Sequence, residues 1–392
     1  MSSSNTDRSK RGNSLQRVLS YLLELCKDLG YIVDYEKNYK AGQPGYADQA
    51  QFKAPYKIKF SDESEWIVFT TTSLRDRIKE QYWDTHNLKQ INSRITEAYL
   101  VYPDSIDVSE RRPFEAKNKK IQSGNEFSPL NALVSQDNFF NRIETYALGR
   151  LNPNQQRDKK GRNFEKRVSA ILSNPCNLEK WKNADPMLEG LHYSMFEIIV
   201  NAFGLEPKHV IRIDSTSDIG VIRPLPSGGQ PKTDVLTTVS YDDGSFEHYT
   251  ISCKRSSSSS VSVHQYPADS YADVLDRNNV ELRRVLNCFQ ACGNKKNMSV
   301  SDVHLLETEI QPYINALCEW AIAGIGGEGD PETQWAKYIL IYDNIDETFS
   351  LHSTNEYCKL LANDCTRTFN TPFSWTYQGE RGTNIQLKCP IV

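Results

Sequence analysis

The chain is poor in histidine and methionine, with seven and four of them in 392 residues, and its nine cysteines never form a CxxC pair. An odd, scattered set of cysteines provides neither a disulfide framework nor a zinc ribbon, so we predict reduced thiols. The histidines show no metal-ligand spacing and no nearby nucleophile, which gives no support to hydrolase triads or HNH-type nucleases. No apolar run approaches membrane-spanning length, and the polar start lacks a signal-peptide core. We therefore expect a cytoplasmic protein.

A strong excess of charge of one sign is also missing. The chain has 46 Lys and Arg against 50 Asp and Glu, for a formal net charge of −4. This balance argues against a protein that coats nucleic acid indiscriminately, although a sequence-specific DNA enzyme needs only one basic surface. With 38% hydrophobic and 24% charged residues, the composition is typical of a soluble globular protein. The length allows two domains of ordinary size.

Apolar periodicity and turn signals divide the chain into two halves. A polar tail over residues 1–13, predicted to be disordered, precedes an N-terminal α/β domain over residues 14–150. Residues 151–163 are polar, basic and turn-rich, which predicts a linker. Residues 164–392 again combine helices with strand pairs. Mixed helices and strands predict an α/β or α+β core in each half.

The segment TDVLTTVSYDDGSFEHYTISCK, residues 233–254, carries strand signals on both sides of a tight acidic turn. The turn YDDGS has the form of a three-residue loop built on a type I turn, with glycine in the left-handed position. Counting back along both strands from this loop puts Asp234 across from Ser252, and Lys254 joins them on the same face. A two-residue Asp-Gly turn would instead place Asp234 opposite Cys253 and split the cluster.

An acid on one strand, with a polar residue, a spacer and a lysine on its partner, is the arrangement that a metal-dependent phosphodiesterase needs. The carboxylate of Asp234 would hold a hard cation such as Mg²⁺, and Ser252 with the backbone carbonyl of Cys253 would complete the ligands. Lys254 would position or activate the attacking water. The alternative interpretation of the same spacing is a pair of ordinary solvated hairpin residues.

The flanking segments add a family resemblance to this spacing. The motifs PKTD and SCK, the following VSVHQY, and the closing FSWTY and GTNIQLKCPI resemble the PD-(D/E)xK nuclease core of type II restriction endonucleases over roughly residues 160–392. Within that group the chain is most similar to the MspI-like enzymes, which also carry an uncharged polar residue where most relatives have Glu or Asp. The resemblance implies a mixed central sheet flanked by helices, a Mg²⁺ cofactor, a double-stranded DNA substrate and CCGG as the recognition sequence.

The resemblance also implies roles for individual residues. It makes Asp234 the metal ligand, Ser252 the middle position and Lys254 the catalytic lysine. A neutral hydroxyl is a poor Mg²⁺ ligand, so we expect a second carboxylate from a helix ahead of the hairpin. The candidates are Glu165 in GRNFEKR and Glu197 in SMFEII, and each could equally be a solvated helix position.

Four residues after the core are candidates for DNA contacts. Arg255 and Ser256 open a serine-rich run that suits a loop along a phosphate backbone, since hydroxyl and amide groups can donate to phosphate. His264 and Gln265 lie where members of this fold carry residues near DNA. The alternatives are a flexible connector for the serines and a structural role for His264 and Gln265.

The first half of the chain shows the same order of sequence features as the second half, but without the lysine. Asp48 precedes a strand, an acidic turn follows, and WIVFTTTSLRDRIKEQYWD runs from a strand into a basic helix. The stretch TTSLRDR resembles a restriction endonuclease segment with Thr71 in place of the lysine. We therefore expect a nuclease-like domain of the same fold that has lost catalysis and contacts DNA through Arg75, Arg77 and Lys79. An unrelated α/β module with a solvated basic helix is the alternative.

These observations favour a type II restriction endonuclease that hydrolyses DNA at a short specific sequence. Such an enzyme implies a partner DNA methyltransferase that protects the host. A catalytically silent DNA-binding protein is a second hypothesis, which the missing acid at Ser252 favours. A repair or mobile-element nuclease on the same core is a third.

Overall fold

The computed structural model describes residues 5–42, 51–72, 78–106, 112–124, 128–256, 259–344, 348–377 and 384–390. The chain forms two compact units. The N-terminal unit contains Met1–Lys159 and Ser173–Phe196, and the C-terminal unit contains Lys160–Leu172 and Glu197–Val392. The chain therefore enters the C-terminal unit, returns to the N-terminal unit for one segment, and then stays in the C-terminal unit.

A five-stranded sheet forms the centre of the N-terminal unit. Its first elements are α1 (Asn5–Asp28), β1 (Asp34–Ala41), β2 (Phe52–Lys59), β3 (Glu65–Thr70), α2 (Ile78–Ile91), β4 (Ile95–Tyr102), α3 (Arg112–Gln122), β5 (Ala132–Ser135) and α4 (Gln136–Leu148). The strand order is β1-β2-β3-β4-β5, antiparallel from β1 to β3 and parallel from β3 to β5. Side chains of β2 alternate between buried and half-buried, while nearly all of β3 is buried, as expected for a central strand.

Three further helices belong to the segment where the chain passes between the units. They are α5 (Pro153–Leu172), α6 (Pro175–Asn183) and α7 (Tyr193–Ala202). Helix α6 has Asn174 as its N-cap, whose side chain accepts the Cys176 N–H, and a proline at its first position.

The structure differs from two expectations about this chain. Helix α1 begins at Asn5, so most of the predicted disordered tail is helical. The predicted linker over residues 151–163 lies largely in α5, which starts at Pro153 and continues to Leu172. The first turns of α5 are mostly exposed and polar, so they carry no apolar periodicity, whereas Phe164 and Val168 further along are fully buried.

The C-terminal unit contains two sheets. Its elements after α7 are β6 (Val210–Thr216), β7 (Val235–Tyr241), β8 (Phe246–Ser256), β9 (Ser260–Tyr266), α8 (Ala268–Asp276), α9 (Val280–Cys292), α10 (Val300–Ile310), α11 (Ile314–Ala323), β10 (Tyr338–Asp343), β11 (Thr348–Ser353), α12 (Thr354–Ala362), β12 (Ser374–Tyr377) and β13 (Ile385–Pro390). One sheet has the order β11-β10-β8-β7-β6, with β10 parallel to β8, and the other has the order β12-β13-β9. Mixed sheets flanked by helices confirm the predicted fold class.

An aromatic cluster fills the core between the small sheet and helices α8 to α11. Tyr271 contacts both Trp320 and Trp375 there, at ring-centroid distances of 5.1 and 5.7 Å. Phe289 and Phe369 extend the cluster. These rings are nearly inaccessible to solvent. Trp375 lies on β12, and Trp320 also contacts His264 of β9, so the cluster joins the small sheet to the helices. Within the described residues, no helix is both long enough and apolar enough to cross a membrane.

Candidate active site

The β7–β8 hairpin has the register that a three-residue loop predicts. Its strands pair antiparallel with Val235 opposite Ile251. Gly244 in the loop has a φ of +84°, the left-handed conformation that glycine adopts without strain. Continuing the pairing one residue further places Asp234 opposite Ser252. The predicted register is therefore confirmed.

Asp234 collects three hydrogen bonds on one carboxylate oxygen, Oδ2. The Cys253 N–H donates at 2.7 Å, Lys254 Nζ at 3.0 Å and the Ser252 hydroxyl at 3.2 Å. The hairpin thus brings the predicted acid, middle residue and lysine together. Because all three donors share Oδ2, these bonds leave the second oxygen, Oδ1, available for another ligand.

Lys254 forms a largely buried ion pair with Asp234. Their side chains are only 18% and 22% exposed, and Lys254 Nζ also donates to the Cys253 carbonyl at 3.1 Å. Burial lowers the pKa of Lys254, but the charge and hydrogen bond of Asp234 outweigh it, so the pKa is raised. Lys254 is therefore a cation at neutral pH.

Glu165, on helix α5, lies close enough to Asp234 and Lys254 for their charges to act on it. Burial, followed by the negative charge of Asp234, raises the pKa of Glu165 to about 7, while the charge of Lys254 opposes the shift. Glu197, the other candidate, is exposed on α7, and no contact joins it to Asp234 or Lys254 among the described residues. The structure therefore brings one of the two predicted acids to the hairpin.

Lys232, two residues before Asp234, was missed by the sequence interpretation. Its ammonium lies inside the protein, where it donates to the Val263 carbonyl at 2.5 Å and to His264 Nδ1 at 2.9 Å. Burial, followed by the positive charge of Lys254, lowers the pKa of Lys232 to about 7. The motif PKTD contains this lysine, but nothing in the motif indicates that its side chain turns inward toward β9.

A cleft of about 900 Å³ opens beside these residues. Asp234, Lys254 and Lys232 line it on one side, and Gln265 lines it from β9. His264 also borders the cleft, but it is only 4% exposed and its ring packs against Trp320. Because it is buried and bonded to Lys232, His264 fits the structural role that the sequence left open beside a DNA contact.

Two other residues that were predicted to contact DNA lie at the end of β8, and their side chains form hydrogen bonds to other residues of the chain. Arg255 Nε donates to the Asn344 side chain at 2.6 Å, and its guanidinium stacks 5.2 Å from the centre of the Tyr342 ring. Ser256 is 7% exposed, and its hydroxyl donates to the Ser260 carbonyl at 3.1 Å. Ser256 therefore ends a strand, where a phosphate-facing loop had been expected.

The donor atoms of the site fit a hard divalent cation. Asp234 and Glu165 supply carboxylate oxygens, and the Cys253 carbonyl, which accepts from Lys254, is an oxygen beside them. Among the described residues no three His, Cys, Asp or Glu side chains gather as a metal site, so carbonyl or water oxygens would complete the ligands. Two nearby carboxylates disfavour joint ionisation, and a cation between them removes that penalty. Ser252 is fully buried and bonds to Asp234, so it fits a supporting role better than that of a ligand.

The family of this chain follows from a match to a family model. The model described as restriction endonuclease MspI matches residues 143–389, a span that contains Glu165, Asp234, Ser252 and Lys254. The chain belongs to the MspI restriction endonuclease family. Type II restriction enzyme BsuFI of Bacillus subtilis is 23% identical over 406 residues, which cover 99% of each chain. Type II restriction enzyme MspI of Moraxella sp is 20% identical over 240 residues, 59% of this chain and 89% of MspI.

A solved structure shows the same fold. The crystal structure of restriction endonuclease MspI in complex with its cognate DNA matches with a TM-score of 0.54 and 19% identity, covering 64% of this chain and 98% of that one. The MspI family span begins at residue 143, so most of the N-terminal unit lies outside it.

The residues predicted to act in the N-terminal half are only partly described. Asp48, Arg75 and Arg77 lie outside the described residues, as does the side chain of Lys79. Thr71 follows the end of β3, and its N–H donates to the Val101 carbonyl at 2.9 Å. Any DNA contact by these residues stays a prediction.

Proposed function

We propose that this member of the MspI restriction endonuclease family hydrolyses phosphodiester bonds of double-stranded DNA at a short specific sequence, with Mg²⁺ as its cofactor. The observation that supports this proposal is the pairing of Asp234 with Lys254 at the edge of one cleft, close enough to Glu165 for their charges to act on it. The names of the relatives BsuFI and MspI agree with a type II restriction activity.

Lys254 would stabilise charge and leave proton abstraction to another group. Its pKa is raised, so the side chain is protonated at neutral pH and cannot take a proton from water. A fixed ammonium held by Asp234 suits the negative charge that grows on a phosphate during hydrolysis. Ser252 and the Cys253 N–H would hold the Asp234 carboxylate in place.

Asp234, Glu165 and the Cys253 carbonyl would hold the Mg²⁺ ion. When bound, the ion polarises the phosphate and lowers the pKa of a water ligand. Glu165, whose pKa is raised to about 7, would be ionised in the cation-bound state and protonated more often without it.

Digestion of unmethylated phage DNA by the purified protein with Mg²⁺ tests the proposal. We expect discrete fragments whose sequenced ends share one short motif, and the family resemblance predicts CCGG. Binding to a defined site with no cutting would overturn the enzyme interpretation, and cutting without a shared motif would indicate a repair or mobile-element nuclease.

The variant Lys254→Ala identifies the site that does the chemistry. Loss of the ammonium should lower the cleavage rate about 100-fold or more, because one preorganised charge is commonly worth that much. Binding of the same DNA should persist. Lys337→Ala, a change at an exposed lysine paired with Glu332, serves as the matched control and should cut normally.

A catalytically silent DNA-binding protein is the second candidate, and the observation that favours it is the neutral Ser252 at the middle position. In that case Lys254→Ala would alter nothing except DNA binding.

We further propose that the active protein is cytoplasmic, that a DNA methyltransferase of the same specificity protects the host, and that the N-terminal unit contributes DNA contacts without catalysis.

A further inference from the structure

We propose that the N-terminal unit carries a second DNA-binding site, a groove lined by Lys37, Lys40 and Lys53 that binds the phosphate backbone of the substrate without cutting it. The inference rests on the proposed function, because DNA is taken as the ligand. We call this feature the lysine groove.

The two units share one arrangement of helix and strands. In the N-terminal unit, α1 is followed by an antiparallel meander β1-β2-β3, then by α2 and by β4 parallel to β3. In the C-terminal unit, α5 precedes an antiparallel meander β6-β7-β8, and helices then lead to β10, parallel to β8. The sheets differ only at their last strand, since β5 is parallel to β4 and β11 antiparallel to β10. Four strands with the same order and directions make the N-terminal unit a topological copy of the nuclease core.

The lysine groove lies at one end of the N-terminal sheet. This end corresponds to the end of the C-terminal sheet that carries the active site. In the C-terminal unit, the site is formed where β7 begins, in the second half of β8, and by Glu165 on the preceding helix. In the N-terminal unit, a groove of about 540 Å³ is lined by the beginning of β2, by Phe69 near the end of β3, and by residues of α1. β1 contributes Lys37 from its middle and Lys40 from near its end. The same end of the same fold is therefore open in both units.

The chemistry of the two openings differs. Near the start of its second strand the C-terminal unit has Asp234, whereas the described part of the N-terminal unit has Lys53. Lys37, Lys40 and Lys53 are exposed. Asp84 accepts a hydrogen bond from the Lys53 backbone, and the charge of Lys53 acts on this carboxylate. Arg17 adds a fourth cation, although Glu179 pairs with it. Two acids, Glu80 and Asp84, also line the groove, so four cations face two carboxylates.

A surplus of exposed lysines suits the backbone of DNA better than it suits a base or a metal ion. Each lysine that neutralises a phosphate releases condensed counterions, which supplies affinity without sequence preference. Because the whole chain has a net charge of −4, DNA binding must depend on local surfaces of this kind.

The test uses the full-length protein with a charge-reversed groove, Lys37→Glu, Lys40→Glu and Lys53→Glu together. Binding to a 30-base-pair duplex that carries the cleavage site is measured by fluorescence anisotropy in EDTA, at several salt concentrations. We expect Kd to rise at least about tenfold at 0.1 M salt, and the slope of log Kd against log salt to fall by about two to three, close to 0.9 for each lost contact.

Two control variants separate backbone charge from other effects. Replacing the same three lysines by arginine keeps the charge and should preserve both Kd and the salt slope. Reversing two exposed lysines of the C-terminal unit, Lys208→Glu and Lys359→Glu, should change Kd by less than about threefold. An unchanged melting temperature and circular dichroism spectrum of the groove variant would show that it is folded.

Unchanged DNA affinity and salt slope in the folded charge-reversed variant would overturn the inference. So would a changed oligomeric state with unchanged DNA affinity, since the groove would then be an interface between copies of the chain. If the wild-type protein binds DNA through the groove but never cuts it, the lysine groove stands and the proposed nuclease function fails. If the wild-type protein cuts DNA and the groove variant binds DNA normally, the proposed nuclease function stands and the lysine groove fails.

Discussion

At the scale of single residues, Glu165 is the side chain whose charge depends most on what the site contains. Its pKa is raised to about 7 from 4.5 by burial and by the charge of Asp234. Below about pH 4.5 the group is neutral in both folded and unfolded chains. As pH rises to 7 the unfolded chain ionises first, so Glu165 increasingly destabilises the fold, and the cost is constant above that range.

Glu165→Gln should therefore stabilise the cation-free protein at pH 8 by about 1 to 2 kcal/mol, and by much less at pH 5. Calorimetric melting at the two pH values measures this. Mg²⁺ should raise the melting temperature of the wild-type protein at pH 8 but raise that of the variant far less, because the variant lacks a carboxylate ligand. An equal gain from Mg²⁺ in both proteins would remove Glu165 from the cation site.

Lys232 provides a second prediction at this scale. Lys232→Met keeps most of the chain volume but removes the ammonium that binds Val263 and His264. We expect about a tenfold slower single-turnover cleavage, because Asp234 lies two residues away and loses an anchor to β9. The melting temperature should change little or rise, since a buried charge is lost. Equal cleavage rates, or a loss matched by the exposed control Lys337→Met, would contradict this role.

Single residues also show where sequence prediction works. Asp234, Ser252 and Lys254 could be placed together because cross-strand register follows from local turn chemistry. Glu165 could not be separated from Glu197, since the side of a helix that faces the sheet depends on long-range packing. The inward turn of Lys232 depends on β9, which is more than 25 residues further along the chain.

At the scale of elements, the loop Asp242–Gly244 sets the geometry of the site. Deleting Ser240, the β7 residue two before the loop, keeps the three-residue loop but moves Asp234 one position along the pairing, so that it lies opposite Ile251. The hairpin should still form, but cleavage should fall at least about 100-fold, as measured by single-turnover kinetics.

Asp243→Asn is the matched control, because it keeps the three-residue loop and the length of β7. The Asp243 carboxylate accepts from the N–H and hydroxyl of Ser245, and an amide oxygen can accept the same bonds. This variant should cut DNA within about twofold of the wild-type rate. Full activity in the deletion variant would show that the surrounding sheet, not the loop, sets the register.

Helix α5 shows why element boundaries were harder to predict than the hairpin. Its first turns are polar and mostly exposed, and a polar, turn-rich stretch without apolar periodicity also predicts a linker. Pro153 fits the first turn of a helix, where its missing N–H costs nothing. Composition reports solvent exposure in both cases and cannot by itself separate an exposed helix from an exposed loop.

At the scale of the whole molecule, the segment Ser173–Phe196 is the feature that the linear domain prediction could not contain. It lies inside the MspI family span yet belongs to the N-terminal unit. Glu189 in this segment is 3% exposed, accepts the Ser105 hydroxyl at 2.7 Å, and its N–H donates to the Ser14 hydroxyl at 2.8 Å. Gln136 donates to the Gly190 carbonyl at 2.8 Å.

A fragment of residues 143–392 should therefore be less stable than the same region in the full chain. Removing Ser14, Ser105 and Gln136 leaves buried polar groups of the segment without partners, at a cost of roughly 1 to 3 kcal/mol each unless water replaces them. We expect a melting transition at least about 5 °C lower and greater binding of a hydrophobic dye. MspI aligns with only 59% of this chain, so a fragment that melts and cuts DNA like the full protein would mean that the N-terminal unit is an independent addition. A lower melting temperature of the fragment would mean that the region 143–392 of this chain depends on the N-terminal unit for its stability.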